Sequence, residues 1–292
     1  MPNLTVQQLE YLVAVADAPT WAVAAGSVGV TPSALSQGLA ELERRVGLTL
    51  FERAGRRRLL TPAAAPVVAH ARDVVSRTLD LARYAQELRE GRGGSLRVGM
   101  IDAAAVEHFS QTLHHFRSHR PDLDLRLIVT SSGALLELLQ RAGLDLVVCV
   151  EPPAPIESIA TTPLMTEPLL VHAPDDHALA RPPGTWGPWV TFPAGSHTRL
   201  VIEQALRRLG APFDIAAQSH QPEVLRKMVR IGLGWAVLPP ASGRLPAGSP
   251  AVGQPIAVRR LVVARRAAAV PNPAGDVLER ALHDAVDDQR AG

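Results

Sequence analysis

Three short polar side chains, Ser33, Ser36 and Gln37, follow Thr31-Pro32 at the start of a helical pattern. Hydroxyl and amide groups on the exposed N-terminal face of a helix can hydrogen-bond the base edges of a DNA major groove. Thr31 can offer its hydroxyl to a phosphate or act only as the helix cap, and both readings stay open. Further along, Arg53, Arg56, Arg57 and Arg58 form the one dense basic cluster. Guanidinium forks suit phosphates, although a run of charge is more often simply solvated. A second group of polar residues is scattered: Asp102 with Ala103, Ser131 with Ser132, Phe192, Ser196-His197-Thr198 and His220. Hydroxyls of this kind could hold a small anionic molecule or could merely cap helices. Asp102 would disfavour a purely anionic ligand or select an amine. Isolated histidines such as His197 and His220 are more often structural.

Composition narrows these choices. The chain has 292 residues, 47% hydrophobic and 20% charged, enough for about two domains with buried cores. Thirty Lys plus Arg against 28 Asp plus Glu give a formal charge of +2, so the local arrangement of charge matters more than its sum. Cys149 is the single cysteine, which excludes an internal disulfide and a cysteine-based zinc site, and it reads as a small buried hydrophobe within Val147-Val148-Cys149-Val150. G-x-S-x-G, H-E-x-x-H, P-loop and G-x-G-x-x-G patterns are absent, and the histidines are dispersed, so the sequence names no catalytic centre, metal or cofactor. No apolar run is long enough to span a bilayer. The first residues lack the basic and apolar pattern of a secretory leader, so a cytoplasmic location is expected.

The elements that would position these residues fall into three regions. In residues 1–61, Thr5-Val6-Gln7-Gln8 has the spacing of a capping box, and Leu9, Leu12, Val13 and Ala16 form one helical face. Thr20 caps a short second helix carrying Trp21, Ala24, Ala25 and Val28. Gly29-Val30 turns the chain, and Thr31-Pro32 opens a third helix that faces inward through Leu35, Leu39, Leu42 and Val46 and stops at Gly47. Two short helices joined by a glycine turn make a helix-turn-helix. Apolar runs flanking the basic Gly55-containing stretch predict a β-hairpin wing.

Residues 62–91 predict one long helix. Val67, Val74, Leu81 and Leu88 recur every seven residues, with Ala71, Thr78 and Ala85 between them, the 4-3 spacing of a coiled-coil seam. A self-paired helix would set two recognition helices about 34 Å apart, as successive major grooves require. From residue 95 onward strands and helices alternate: Leu96–Ile101, a helix through Phe109 and Phe116, Leu123–Val129, a helix through Leu135, and Leu144–Val150 predict a βαβαβ unit with a parallel sheet. A second such unit is expected from Leu169–His172, Trp189–Phe192, helices over 200–209 and 222–231, and Trp235–Leu238, with a late strand at 260–264 and a final helix at 277–286. Ligands of open parallel sheets settle beyond the carboxyl ends of strands, which is where the scattered polar residues fall.

The order Ala24-Ala25-x-x-Val28-x-Val30-Thr31-x-Ser33-Ala34-Leu35-Ser36-Gln37, then Leu42-Glu43, Gly47-x-x-Leu50-Phe51-x-Arg53 and Leu60-Thr61-Pro62-Ala63, resembles the LysR-type transcriptional regulators. Gly232-x-Gly234-x-Ala236-x-Leu238-Pro239 is a weaker match to that family's ligand domain. The chain departs from the pattern at Pro32, where the family usually has a glutamine that reaches DNA, and at Pro19 and Ala64.

The resemblance implies an α+β multidomain chain. Its parts would be an N-terminal winged helix-turn-helix (1–61), a long linker helix (62–91) and a C-terminal two-lobed α/β effector domain of the periplasmic-binding-protein type (95–292). Lobe I would be about 95–163 and 266–292, and lobe II about 164–265. It implies double-stranded DNA and a small organic effector, often an acid, as partners. It further implies a homodimer through the linker helix and a tetramer of two dimers. The alternative is a small-molecule-binding protein whose N-terminal domain serves only dimerisation.

Overall fold

The computed structural model describes residues 3–54, 57–90, 94–240, 251–267, 269–270 and 272–291. Contacts divide the chain into two units, one essentially Met1–Arg89 and the other Glu90–Leu139, Gly143–Ala267 and Pro271–Gly292.

The first unit runs α1 (Val6–Asp17), α2 (Trp21–Ser27), α3 (Pro32–Val46), β1 (Phe51–Ala54), β2 (Arg57–Leu60) and α4 (Ala64–Glu90). Short-range signals fix each boundary. The Thr5 hydroxyl accepts from the Gln8 amide at 3.3 Å while the Gln8 side chain accepts from the Thr5 amide at 3.2 Å, so the capping box forms. The Thr20 hydroxyl caps α2 by accepting from the Val23 amide, and Gly47, at φ 73°, ends α3. Tyr11, Leu12, Ala24, Ala25, Leu35, Leu39, Leu42 and Leu50 form the buried centre, closed from α4 by Ala64, Val68 and Ala71. At Gly38 a Cβ would lie 2.7 Å from the Tyr11 ring, so only glycine lets α3 come this close to α1. The hairpin is antiparallel, with Phe51 opposite Leu60 and Arg53 opposite Arg58. On α4 the heptad pattern is divided: Ala71 is buried in this unit's own core, whereas Val74, Thr78, Leu81 and Ala85 are exposed.

The second unit contains β3 (Ser95–Met100), a π-helical turn (Ala104–His108), α5 (Ser110–Ser118), β4 (Asp124–Val129), α6 (Ser132–Gln140), β5 (Leu146–Val150) and β6 (Ile159–Ala173). There follow α7 (Asp176–Leu179), β7 (Trp189–Thr191), α8 (His197–Arg208), β8 (Ile215–Gln218), α9 (Pro222–Arg230), β9 (Ala236–Leu238), β10 (Ala251–Arg266) and α10 (Pro273–Ala291). One six-stranded sheet has the order β4-β3-β5-β10-β6-β9, and β7 pairs with β8 in a second sheet. The expected βαβαβ unit is present, since β3 pairs in parallel with both β4 and β5.

The second half differs from the expectation of another parallel unit. Leu169–His172 and residues 260–264 are pieces of two long strands, β6 and β10, which pair antiparallel with each other and join both halves of the sheet. Pro163, Pro168 and Pro255 lie inside these strands and break the alternation that would have announced them. Buried side chains form two separate clusters. One contains Leu96, Leu135, Leu146, Leu164, Leu261 and Leu278; the other contains Leu169, Trp189, Ile202, Leu206 and Leu225. The clusters divide between Met165 and Leu169 on β6 and between Ala257 and Leu261 on β10, inside the range 164–265 expected for lobe II. Where they divide, Glu167 and Arg259 are register partners, both almost fully buried. Among the described residues no helix is long and apolar enough to cross a membrane.

Candidate DNA interface and effector cavity

In the first unit the polar start of α3 faces outward. Thr31, Pro32, Ser33 and Gln37 are exposed and Ser36 is half-buried, while Leu35 and Leu39 of the same helix are in the core. The Thr31 hydroxyl accepts from the Ala34 amide at 3.2 Å, so it is an N-cap whose own hydrogen is still free to donate. Arg58, on the wing strand β2, donates from Nη1 to the Ser36 hydroxyl at 3.1 Å. Its guanidinium also stands 5.2 Å from the centre of the Trp21 ring.

The wing is held in turn by two contacts that the spacing of polar residues did not suggest. Glu43 Oε1 accepts from the amides of Leu50 and Phe51 at 2.8 and 3.1 Å. Trp21 meets Phe51 edge-on with ring centres 5.1 Å apart. Arg53 and Arg57 lie on β1 and β2, and Arg56 lies outside the described residues. The arrangement offers hydroxyl and amide groups with at least one cation beside them, the chemistry of base-edge and phosphate contact.

In the second unit a cavity of about 130 Å³ is lined by Asp102, Ala103, Ser131, Ser132, Phe192, Ser196, Thr198 and His220, together with Ile101, Val129, Thr130, Gln221, Pro222 and Arg259. Eight of the nine residues expected from the sequence therefore meet around one space. The ninth, His197, lines a different depression beside Val150 and Arg260, and its Nδ1 is 3.1 Å from the Val150 carbonyl oxygen. Three helices, α6, α8 and α9, begin at this wall. Ser131 caps α6 loosely, at 3.5 Å, and neither Ser196 nor Gln221 makes a side-chain cap at α8 or α9. Gly133 donates its amide to the Gly195 carbonyl at 3.3 Å, and a Cβ on Gly133 would come within 2.8 Å of that oxygen. Only glycine permits so close an approach of the two loops.

Arg259 is the cavity residue that sequence reasoning missed and that matters most electrostatically. It is 2% exposed, pairs with Glu167 at 2.7 Å and donates to the Thr198 hydroxyl at 3.1 Å. Glu167 also meets His108 Nε2 at 2.7 Å. Burial pushes the Glu167 carboxyl up, but the His108 hydrogen bond and the Arg259 charge outweigh it, so the group is held below its ordinary range. Asp102 is pushed up, first by burial and then by the charge of Glu223, against a smaller opposing pull from His220. Cys149 is fully buried, and its thiol is driven up to about 12 by desolvation. Among the described residues no group of three or more His, Cys, Asp or Glu side chains could hold a metal ion.

An exposed helix-turn-helix with a hairpin wing, joined to a two-cored α/β unit with a cavity, defines a DNA-binding protein that carries a ligand domain. Residues 6–65 match the bacterial regulatory helix-turn-helix protein family of the LysR type, and residues 89–287 match the LysR substrate binding domain. The chain belongs to the LysR family of transcriptional regulators.

It is 29% identical over 243 residues to the RuBisCO operon transcriptional regulator of Allochromatium vinosum, covering 81% of this chain and 80% of that one. It is 29% identical over 279 residues to the HTH-type transcriptional regulator CbbR of Xanthobacter flavus, covering 88% and 83%. Full-length OxyR from Pseudomonas aeruginosa, solved as a variant, shares the fold with a TM-score of 0.57 and 24% identity over 97% of this chain and 95% of that chain. The protein is thus a transcriptional regulator with a helix-turn-helix and an effector-binding domain.

Proposed function

We propose that Ser33, Ser36 and Gln37 read base edges, with Thr31 and Pro32 seating the helix start against the backbone and Arg53, Arg56, Arg57 and Arg58 contacting phosphate or the minor groove. The observation that carries this reading is the outward polar start of α3 with the Arg58 guanidinium drawn onto Ser36. We further propose that α4 pairs with the α4 of a second copy. Val74 is 41% and Leu81 63% exposed along one heptad seam, apolar surface that pairing would remove from water. Two such dimers then make a tetramer.

The cavity takes a small effector, and Asp102, Ala103, Ser131, Ser132, Phe192, Ser196, Thr198 and His220 touch it. His197 acts from outside the cavity by linking α8 to β5. Effector binding shifts the balance between two arrangements of the lobes, by as much as its affinity differs between them. The protein works in the cytoplasm and catalyses no reaction. In support, among the described residues the Ser132 and Thr198 hydroxyls bond only a backbone amide and an arginine, neither of which is a general base that could take their protons.

The test is selection of bound genomic DNA by the purified full-length protein, followed by footprinting. A two-fold symmetric site whose half-sites lie about one or two helical turns apart is expected. Binding no better than to random DNA would overturn the proposal. The operon beside the selected site would then narrow the effector.

A further inference from the structure

The cavity is lined by two chemically opposite kinds of group. Three hydroxyls at the beginnings of α6 and α8 are nearly sealed from solvent: Ser132 is 2%, Ser196 7% and Thr198 3% exposed. Ser132 accepts from the Val150 amide at 3.2 Å and Thr198 accepts from Arg259, so each keeps its own hydrogen to donate. The Ser196 hydroxyl has no hydrogen-bond partner at all among the described residues and caps nothing. Buried donors standing at the positive ends of helices call for an acceptor, and a carboxylate serves best.

Asp102 lines the same cavity. It makes no hydrogen bond or ion pair among the described residues. The lining cation, Arg259, is already matched by Glu167. The cavity therefore carries a carboxylate that no guanidinium or ammonium pairs and that only the His220 imidazole opposes, which repels a ligand that is only an anion and attracts an ammonium. Ile101, Val129 and Phe192 supply an apolar patch beside these groups. At about 130 Å³ the space is small; cavities of about 150 Å³ hold a benzene-sized molecule.

We infer that the effector is a small amino acid, its carboxylate held by Ser132, Ser196 and Thr198 and its ammonium by Asp102. An amino acid is the compact way to put both charges on neighbouring carbons within so few atoms. This inference rests on the proposed effector role of the cavity and specifies its ligand.

Calorimetric titration and thermal melts of the full-length protein test it with three sets of probes. Glycine, L-alanine and L-serine carry both charges; propionate and L-lactate lack the amine; ethylamine lacks the carboxylate. At least one amino acid is expected to bind saturably, at least tenfold tighter than propionate, lactate or ethylamine. Asp102→Asn, shown to be folded by its own melt, is expected to lose at least tenfold for that amino acid and to narrow or reverse its preference over the acids. Propionate or lactate binding as tightly as the amino acids would overturn the inference while leaving an effector cavity standing. Unchanged amino-acid preference in Asp102→Asn, or no binding by any probe, would overturn it too. The DNA-selection experiment judges the regulator reading independently of all three outcomes.

Discussion

The two units place their working residues in opposite physical settings. In the first, the polar residues of α3 project from the surface, and the side chains that hold the helix, Leu35, Leu39 and Leu42, are different residues on the opposite face. Work and stability are separable there. In the second, several candidate effector groups, Ser132, Ser196 and Thr198, are themselves part of the interior. Thr198 bonds Arg259, Arg259 bonds Glu167, and Glu167 bonds His108, the first three almost fully buried and His108 partly so. Altering the ligand wall therefore also alters the junction between the two apolar clusters. A surface reader can change its DNA preference by substitution without loss of folding. A buried cavity wall is constrained by the same contacts that hold the two apolar clusters together.

This contrast is open to breakage, and the largest effect should come from the junction. Glu167→Gln leaves the Arg259 guanidinium buried without its direct ion-pair partner, and such a loss costs about 3–5 kcal/mol. Urea denaturation of the variant should show it, and unchanged stability would remove the claim that the cavity wall is structural.

A second effect concerns acid. His172 is 1% exposed, neither ring nitrogen has a hydrogen-bond partner among the described residues, and burial, followed by the Arg226 charge, lowers its pKa to about 4. Because the folded value lies below the unfolded one, this contribution to stability is complete above about 6.5 and is lost as pH falls from there through 4. The full loss is on the order of 3 kcal/mol. His172→Phe should flatten the stability profile between pH 6.5 and 4; an unchanged acid limb would place the sensitivity elsewhere. The lowered Glu167 carboxyl adds its own loss only below its ordinary 4.5, so the two limbs can be told apart.

In the first unit a core change should act more mildly. Gly38→Val drives a side chain into the Tyr11 ring, an overpacking that typically costs about 1–3 kcal/mol. Thermal melts should register it, and the variant should lose DNA binding only to the extent that it unfolds. The smallest stability change is expected for Ser33→Ala and Gln37→Ala, within about 0.5 kcal/mol. Their discrimination between operator and altered half-sites should nevertheless fall by about 1–3 kcal/mol for each lost base contact, measured by competition binding. A stability loss in these two as large as that of Glu167→Gln would erase the distinction between the units.

The first unit was legible because its signals are local. Thr5 with Gln8, Thr20 with Val23 and Thr31 with Ala34 are each three residues apart, and each forms the cap that its spacing announces. The hairpin follows from two apolar runs around a basic, Gly-containing stretch of sequence. Legibility ended where positions depend on distant partners. Glu43 orients the wing through amides seven and eight residues away, and nothing in its neighbours marks it for that role. The seam on α4 was readable as a repeat, but not its division between this unit's own core and an exposed stretch. In the second unit the strand ends were foreseen, and with them most of the cavity. The long antiparallel strands β6 and β10 were not, because their prolines interrupt the pattern. Arg259 was missed as a result, since it is placed by one of those strands.

By itself the amino-acid sequence settled the helix-turn-helix, its caps and outward polar face, the long helix and the alternation of strands and helices that follows. Each depends on spacings of a few residues, over which backbone geometry is nearly fixed. The tertiary structure alone decided which polar groups share a cavity and which charges cancel there. Glu167 and Arg259 lie 92 residues apart, and Arg259 and Thr198 lie 61 apart. At such separations no local rule operates, and only the antiparallel pairing of β6 with β10 brings a buried cation against its counter-ion, while Asp102, beyond β3, makes no ion pair among the described residues.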